Sequence, residues 1–174
     1  MKRTEWFKRK FPVIDDNGLL PSIIERLCGT PARVEEIIGA LDTDLLTLKD
    51  DGKWSIKEEI GHLGDMEPLW SGRTDDLVQG ETELRVADLT NQTTHNADHN
   101  STKTIVLLQR FREQREAFVK KLAALNDEQL EKTALHPRLK TPMRIIDLAY
   151  FVAEHDDHHL ARVRVVIDNH VQHH

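Results

Sequence analysis

Apolar residues recur along much of this chain at spacings of three and four, the period of helices that bury one face. Four long segments carry the pattern. In "GTPARVEEIIGALDTDLLTL", Thr30 is placed to cap a first helix and Pro31 suits its first position. Val34, Ile37, Ile38, Leu41, Leu45 and Leu48 then share a face, and a shorter helix is expected just before, near residues 20–28. The second segment opens with an S-x-x-E capping box, Ser55 and Glu58, and runs to about Gln79. Pro68 has no donor for Gly64, so a kink is expected beyond His62. The third covers residues 101–125 with Leu108, Phe111, Phe118, Leu122 and Leu125 inward, a stripe that Arg115 interrupts. The fourth, "TPMRIIDLAYFVAEHDDHHLARVRVVI", repeats the Thr-Pro start and is expected from Thr141 to Ile167. No segment has a pattern that calls for a strand.

Between the second and third helices lies "ETELRVADLTNQTTHNADHN", a polar connection longer than neighbouring antiparallel helices need. A helix of about 25 residues is about 37 Å long, and about 20 extended residues reach about 65 Å. The connection can therefore cross the whole bundle. The fold class expected is all-α: a four-helix bundle with a long crossover between helices two and three, and with helices two and four antiparallel and facing.

Composition narrows the partners. A chain of 174 residues is sized for a single domain, here 1–174, with an N-terminal arm at 1–20 and a frayed tail at 168–174. The formal charge of −6 gives no field for nucleic acid or an anionic membrane. Cys28 is the one cysteine, so no disulfide within the chain is expected, and the basic start lacks the apolar run of a signal peptide. A cytoplasmic protein is expected. Trp6, Phe7 and Phe11 alternate with basic residues, and we expect them to clamp the arm onto the domain rather than to lie on a membrane.

The ten histidines change the picture, because of where they fall. On helix four, Ile145, Leu148, Val152, His155 and His159 share one face, so the core stripe continues as histidine. His155 and His159, one turn apart, can reach a common divalent ion about 2 Å from each ring; the bland alternative is a hydrogen-bonded core pair. His62, on the face of helix two with Glu59, Met66 and Leu69, is the candidate third ligand, and Gly61 and Gly64 beside it permit close approach. His95 and His99 repeat the spacing in a Thr- and Asn-rich loop and are expected to be solvated. His158 points about 100° away from His159. His136 precedes Pro137 in a loop, and His170, His173 and His174 belong to the tail.

Three stretches, "GTPARVEEII", "WSIKEEIGHLGD" and "HPRLKTPMRIIDLAYFVAEHDDHHLARV", together resemble the DinB/YfiT-like superfamily of metal-dependent enzymes. The resemblance implies a DinB-type four-helix bundle and a metal held by three histidines, which fall on His62, His155 and His159. It also implies hydrolase or thiol S-transferase chemistry on a small molecule, for instance a low-molecular-weight thiol, and admits a homodimer.

Three neutral imidazoles would leave a divalent ion, with zinc or nickel expected, its full charge and an open position for water or a thiolate. Asp65 and Asp156 are candidate acceptors for the second ring nitrogens, or else ordinary surface acids; Glu154 and Asp157 are candidate general bases. Arg115 has two readings. Its guanidinium holds a substrate carboxylate, or its stem packs at the bundle edge while its head meets water or a helix acid. The competing function is a non-catalytic metal-binding or stress-response protein whose ion staples the helices.

Overall fold

The computed structural model describes residues 3–49 and 52–172. Its elements are α1 (Leu20–Ile38), α2 (Thr43–Thr47), α3 (Ile56–Gln79), α4 (Gln92–Asn96), α5 (Thr104–Ala123), α6 (Asp127–Leu130), β1 (Ala134–Leu135), β2 (Pro142–Met143) and α7 (Ile145–Gln172). The four long helices make the bundle.

Contacts between side chains fix their directions. Glu59 and Trp70 of α3 meet Arg162 and Phe151 of α7, so these two helices run antiparallel. Asp65, Glu67 and Asp75 meet Arg110, Arg115 and Lys121 in turn, so α3 and α5 run parallel. That is the arrangement a full-length crossover requires, and it matches the expectation from the 81–100 connection. The crossover is not bare loop: it contains α4, and its start is tied to the hairpin by Leu84 N donating to Leu135 O at 2.9 Å.

Two starts differ from expectation. Thr30 and Pro31 lie inside a continuous α1, so the shorter helix near 20–28 and the first helix are one. An internal proline leaves the carbonyl four residues back without its N–H. That carbonyl is Leu27 O, and Arg115 Nη1 donates to it at 3.3 Å. The face predicted from Val34 to Leu48 is accordingly split: α1 ends at Ile38, Leu45 and Leu46 are buried from α2, and Leu48 is exposed. Likewise Thr141 and Pro142 start no helix. Pro142–Met143 pairs antiparallel with Ala134–Leu135, and α7 begins at Ile145, where Asp147 Oδ2 accepts from Arg144 N at 2.9 Å. The tail expected to fray at 168–174 is helical through Gln172; His173 and His174 lie outside the described residues.

The capping box of α3 is present as read: Ser55 Oγ accepts from Glu58 N at 3.2 Å and Glu58 Oε2 accepts from Ser55 N at 2.9 Å. It sets the rotational phase of the helix that carries His62. Pro68 sits within α3. The N-terminal arm lies on α7 through Trp6, whose ring meets Phe11, Phe151, His155 and His158 at centroid distances of 5.1–5.3 Å. Ile14 N donates to Asp147 Oδ1 at 2.9 Å.

The apolar core is in two parts. One gathers Leu27, Leu77, Phe118, Ile145, Leu148 and Val152; the other gathers Val34, Ile60, Phe111, Leu160 and Val163. On every long helix polar residues are buried between these parts: Thr30, His62, Glu67, Arg115, His155, Asp156 and His159. The bundle thus has a polar waist, and the candidate site is in it.

Candidate metal centre

Helices α3 and α7 bring His62, His155 and His159 together, each at most 6% exposed. One ring nitrogen from each lies within 4.8 Å of the other two. His62 and His159 stand 4.7 Å apart between ring centroids, His62 and His155 5.4 Å, and His155 and His159 4.4 Å.

The outward-facing nitrogens explain the orientation. His159 Nδ1 faces Glu59 Oε2 at 2.5 Å, and Glu59 Oε1 accepts from Arg162 Nε at 2.7 Å. His62 Nδ1 is 2.9 Å from Thr94 Oγ1, and that hydroxyl donates to Asp65 Oδ2 at 2.9 Å. A hydroxyl that donates to Asp65 accepts from His62, so His62 carries its proton on Nδ1 and turns the Nε2 lone pair inward. His155 has no such partner, and its buried Nδ1 is unpaired. His155 Nε2 lies 3.1 Å from His159 Nε2. Ligands about 2.0–2.1 Å from a tetrahedral ion sit about 3.3 Å apart, so this spacing suits a shared cation.

Burial keeps the three histidines uncharged. It pulls His62 down to about 4 and holds His155 and His159 well below the ordinary histidine value, which leaves neutral imidazole ligands at neutral pH. Burial also pushes Glu59 up to about 7, against the opposing pull of Arg162 and Arg3. At Asp65 burial works upward too, but bonds from His99, Arg110 and Thr94 prevail and hold it at about 2.

Several expectations about neighbours need correction. Asp65 does not touch His62 directly; it acts through Thr94, and it also receives His99 Nε2 at 2.8 Å. His99 is therefore not solvated but 2% exposed, seated against Gly61, where a Cβ would lie 2.4 Å from its ring. Gly61 thus admits the crossover rather than a helix, whereas Gly64 faces Arg110 and Gln114 of α5. Asp156 serves no histidine: it accepts from Arg115 Nη2 at 3.0 Å and from Thr30 Oγ1 at 2.8 Å. Arg115 pairs with two helix acids, Glu67 and Asp156, and is 1% exposed, so its head neither reaches water nor faces a substrate. Glu154 is held by Arg9 and Arg26, and Asp157 by Arg26 and Arg33, so neither is free to act as a base. Glu59, Thr94 and His99 had no role assigned from sequence. Glu59 was legible as a face-mate of His62; nothing in the loop composition marks Thr94.

The three histidines line a cavity of about 340 Å³ whose other walls include Trp6, Trp54, Trp70, Phe151, Arg73 and His136. All of the chain's tryptophans face it.

The model of the DinB superfamily matches residues 26–163. The chain belongs to the DinB superfamily. Its fold is similar to that of a solved DinB-like structure, "YfiT from Bacillus subtilis is a probable metal-dependent hydrolase with an unusual four-helix bundle topology", with a TM-score of 0.79 and 20% identity over 92% of this chain and 93% of that one. No curated protein sequence matches this superfamily member. Among the described residues no helix is long and apolar enough to cross a membrane.

Proposed function

We propose that this DinB-superfamily chain is a metal-dependent hydrolase acting on a small molecule, with His62, His155 and His159 holding one divalent ion. The observation that carries the reading is a set of three buried, neutral imidazoles that open onto a cavity with no fourth ligand in the cluster among the described residues. Catalytic sites keep such a position open, whereas structural sites close it with a fourth protein donor. The description of YfiT as a probable metal-dependent hydrolase supports the same chemistry. The zinc or nickel expected from sequence suits three nitrogen donors.

A divalent ion held by His62, His155 and His159 would supply a water, or a bound thiol, of lowered pKa. The chain's residues do the rest. Glu59 and the Thr94–Asp65 pair fix two of the ligand rings, so their Nε2 lone pairs are aimed before binding. Trp6, Trp54, Trp70 and Phe151 shield the open side from bulk water. The buried Arg115–Glu67–Asp156 cluster joins α5, α3 and α7 and so fixes the helix that carries two of the three histidines.

Metal analysis of the full-length chain tests the reading. One ion per wild-type chain is expected, with loss in His62→Ala and His155→Ala, and hydrolysis of activated esters or amides restored to stripped protein by metal. Full occupancy in His155→Ala would overturn the ligand set. Unfolding on chelation would favour a structural staple, and turnover only in the presence of an added thiol would favour the transferase.

A further inference from the structure

At the other end of the same cavity, basic groups gather with no acid paired to them; the carboxylate that lines the cavity, Asp88, is taken by Thr90 and Gln92. Arg73 is 2% exposed, Arg138 is half-buried, and both line the cavity with His136, itself 2% exposed. Neither arginine forms an ion pair among the described residues. The nearby carboxylate of Asp76 is taken by Arg85, which binds it through Nε at 2.9 Å and Nη2 at 2.6 Å. Arg138 Nη2 is buried with no partner at all, and the guanidinium lies over the Phe7 ring at 5.2 Å.

His136 makes the surplus of donors plainer. Its Nδ1 is approached by Arg138 N and Leu139 N, each at 3.2 Å, and its Nε2 by Arg73 Nη1 at 3.1 Å. A neutral imidazole has one acceptor nitrogen, so one side of the ring must set donor against donor. Arg73 Nε donates to Arg85 O at 3.1 Å, so that guanidinium is hydrogen-bonded but not neutralised; a buried cation without a counter-charge is costly, and the cost is relieved when an anion enters. Trp70 lies between the two ends: its ring is 5.3 Å from that of His155 and 5.7 Å from Arg73 Cζ. Along α3, Arg73 follows His62 by eleven residues, three turns, and so falls on the same face.

We infer that Arg73 and Arg138, with His136, form an anion subsite, and that the cavity takes a small organic acid whose apolar body lies on Trp6, Trp70 and Phe151 while its head meets the arginines. The inference rests on the proposed function only in placing the reacting bond at the histidine end. Carboxylate and phosphate heads share the required chemistry. A planar guanidinium pairs with either through two parallel hydrogen bonds.

The test separates this subsite from the metal, because a carboxylate also binds a metal ion. Chelator-stripped protein is titrated with benzoate, phenyl phosphate and neutral benzamide, followed by tryptophan fluorescence and by the Arg Nε–H resonances in NMR. At least tenfold tighter binding of one of the anions than of benzamide is expected, with the arginine resonances moving, and the better anion identifies the head. Arg138→Met should lose that preference without a fall in melting temperature, since the guanidinium makes no ion pair and the Met side chain keeps an apolar contact for Phe7; Arg73→Lys should weaken it. If benzamide binds as well as both anions, if neither anion binds, or if Arg138→Met keeps the preference, the subsite is wrong. Loss of metal in His155→Ala bears only on the metal centre, so the two readings fail separately.

Discussion

Arg115→Met removes the central charge of the polar waist while keeping an apolar stem of similar length. The guanidinium donates to Glu67 Oε1 through Nε at 3.0 Å and Nη2 at 2.6 Å, to Asp156 Oδ2 through Nη1 at 2.5 Å and Oδ1 through Nη2 at 3.0 Å, and to Leu27 O through Nη1 at 3.3 Å. Its partners are 3% and 0% exposed, so neither can turn to water. Breaking a buried ion cluster from one side costs about 3–5 kcal/mol, because the remaining charges stay buried and unpaired. For a domain of this size each kcal/mol moves the melting temperature by about 2–4 °C, so a loss of about 6–20 °C is expected. The sign with pH is fixed. Burial holds Glu67 up at about 7 against the pull of Arg115, and without that pull it binds a proton more readily in the folded than in the unfolded chain. The deficit therefore shrinks as pH falls and widens as pH rises, and Glu67→Gln added to Arg115→Met should recover part of it. Melting curves between pH 5 and 8, read by circular dichroism, supply the numbers. A variant within about 1 kcal/mol of wild type, or a deficit independent of pH, would refute the account.

Other expectations follow from the same contacts. Glu59→Gln leaves a weaker acceptor for His159 Nδ1 and should cut metal affinity about 10–100-fold, measured by competition with a chromogenic chelator. Stripping a metal present at 100 times its dissociation constant should cost about 2.7 kcal/mol, seen as a lower melting temperature of a chain that stays helical. Burial holds His62 at about 4 and His136 at about 3, so the stability these neutral rings contribute is full above pH 6.5 and is lost as pH falls toward 4. Glu59 and Glu67, both pushed up to about 7, act in the opposite sense, but more histidines are held down than glutamates up, so the metal-free protein should melt lower at pH 5 than at pH 7; a higher value would contradict this. Gly61→Ala sets a methyl against the His99 ring and should lower both stability and metal affinity, the latter through Asp65 and Thr94.

What the sequence revealed, and what it hid, follows from the range of the forces involved. The start of α3 was legible because a capping box is local, and the facing of His62 with His155 and His159 because helical phase and crossover length fix it. The continuity of α1 through Pro31 was not, since the donor that satisfies Leu27 O comes from Arg115 on α5. The same is true of Thr141 and Pro142, whose strand exists only through pairing with Ala134 and Leu135. His99 read as a loop residue because its partner, Asp65, lies on another element. Helical period told which residues turn inward, and it could not tell which buried charges meet.

The crossover has one further consequence. Asn91, held in the left-handed region at φ 54°, divides it. Before that point Val86–Leu89 form part of the cavity wall; after it, Thr94 meets His62, and His99 meets the Asp65 carboxylate that holds Thr94. The cavity wall and the brace of the proposed ligand His62 thus sit on one connection, joined where Asp88 accepts from Thr90 N at 2.9 Å and Gln92 N at 2.8 Å. Val86, Ala87 and Leu89 can be rewritten to admit a different guest so long as Asp88 is kept, because its carboxylate holds the start of α4 and with it Thr94.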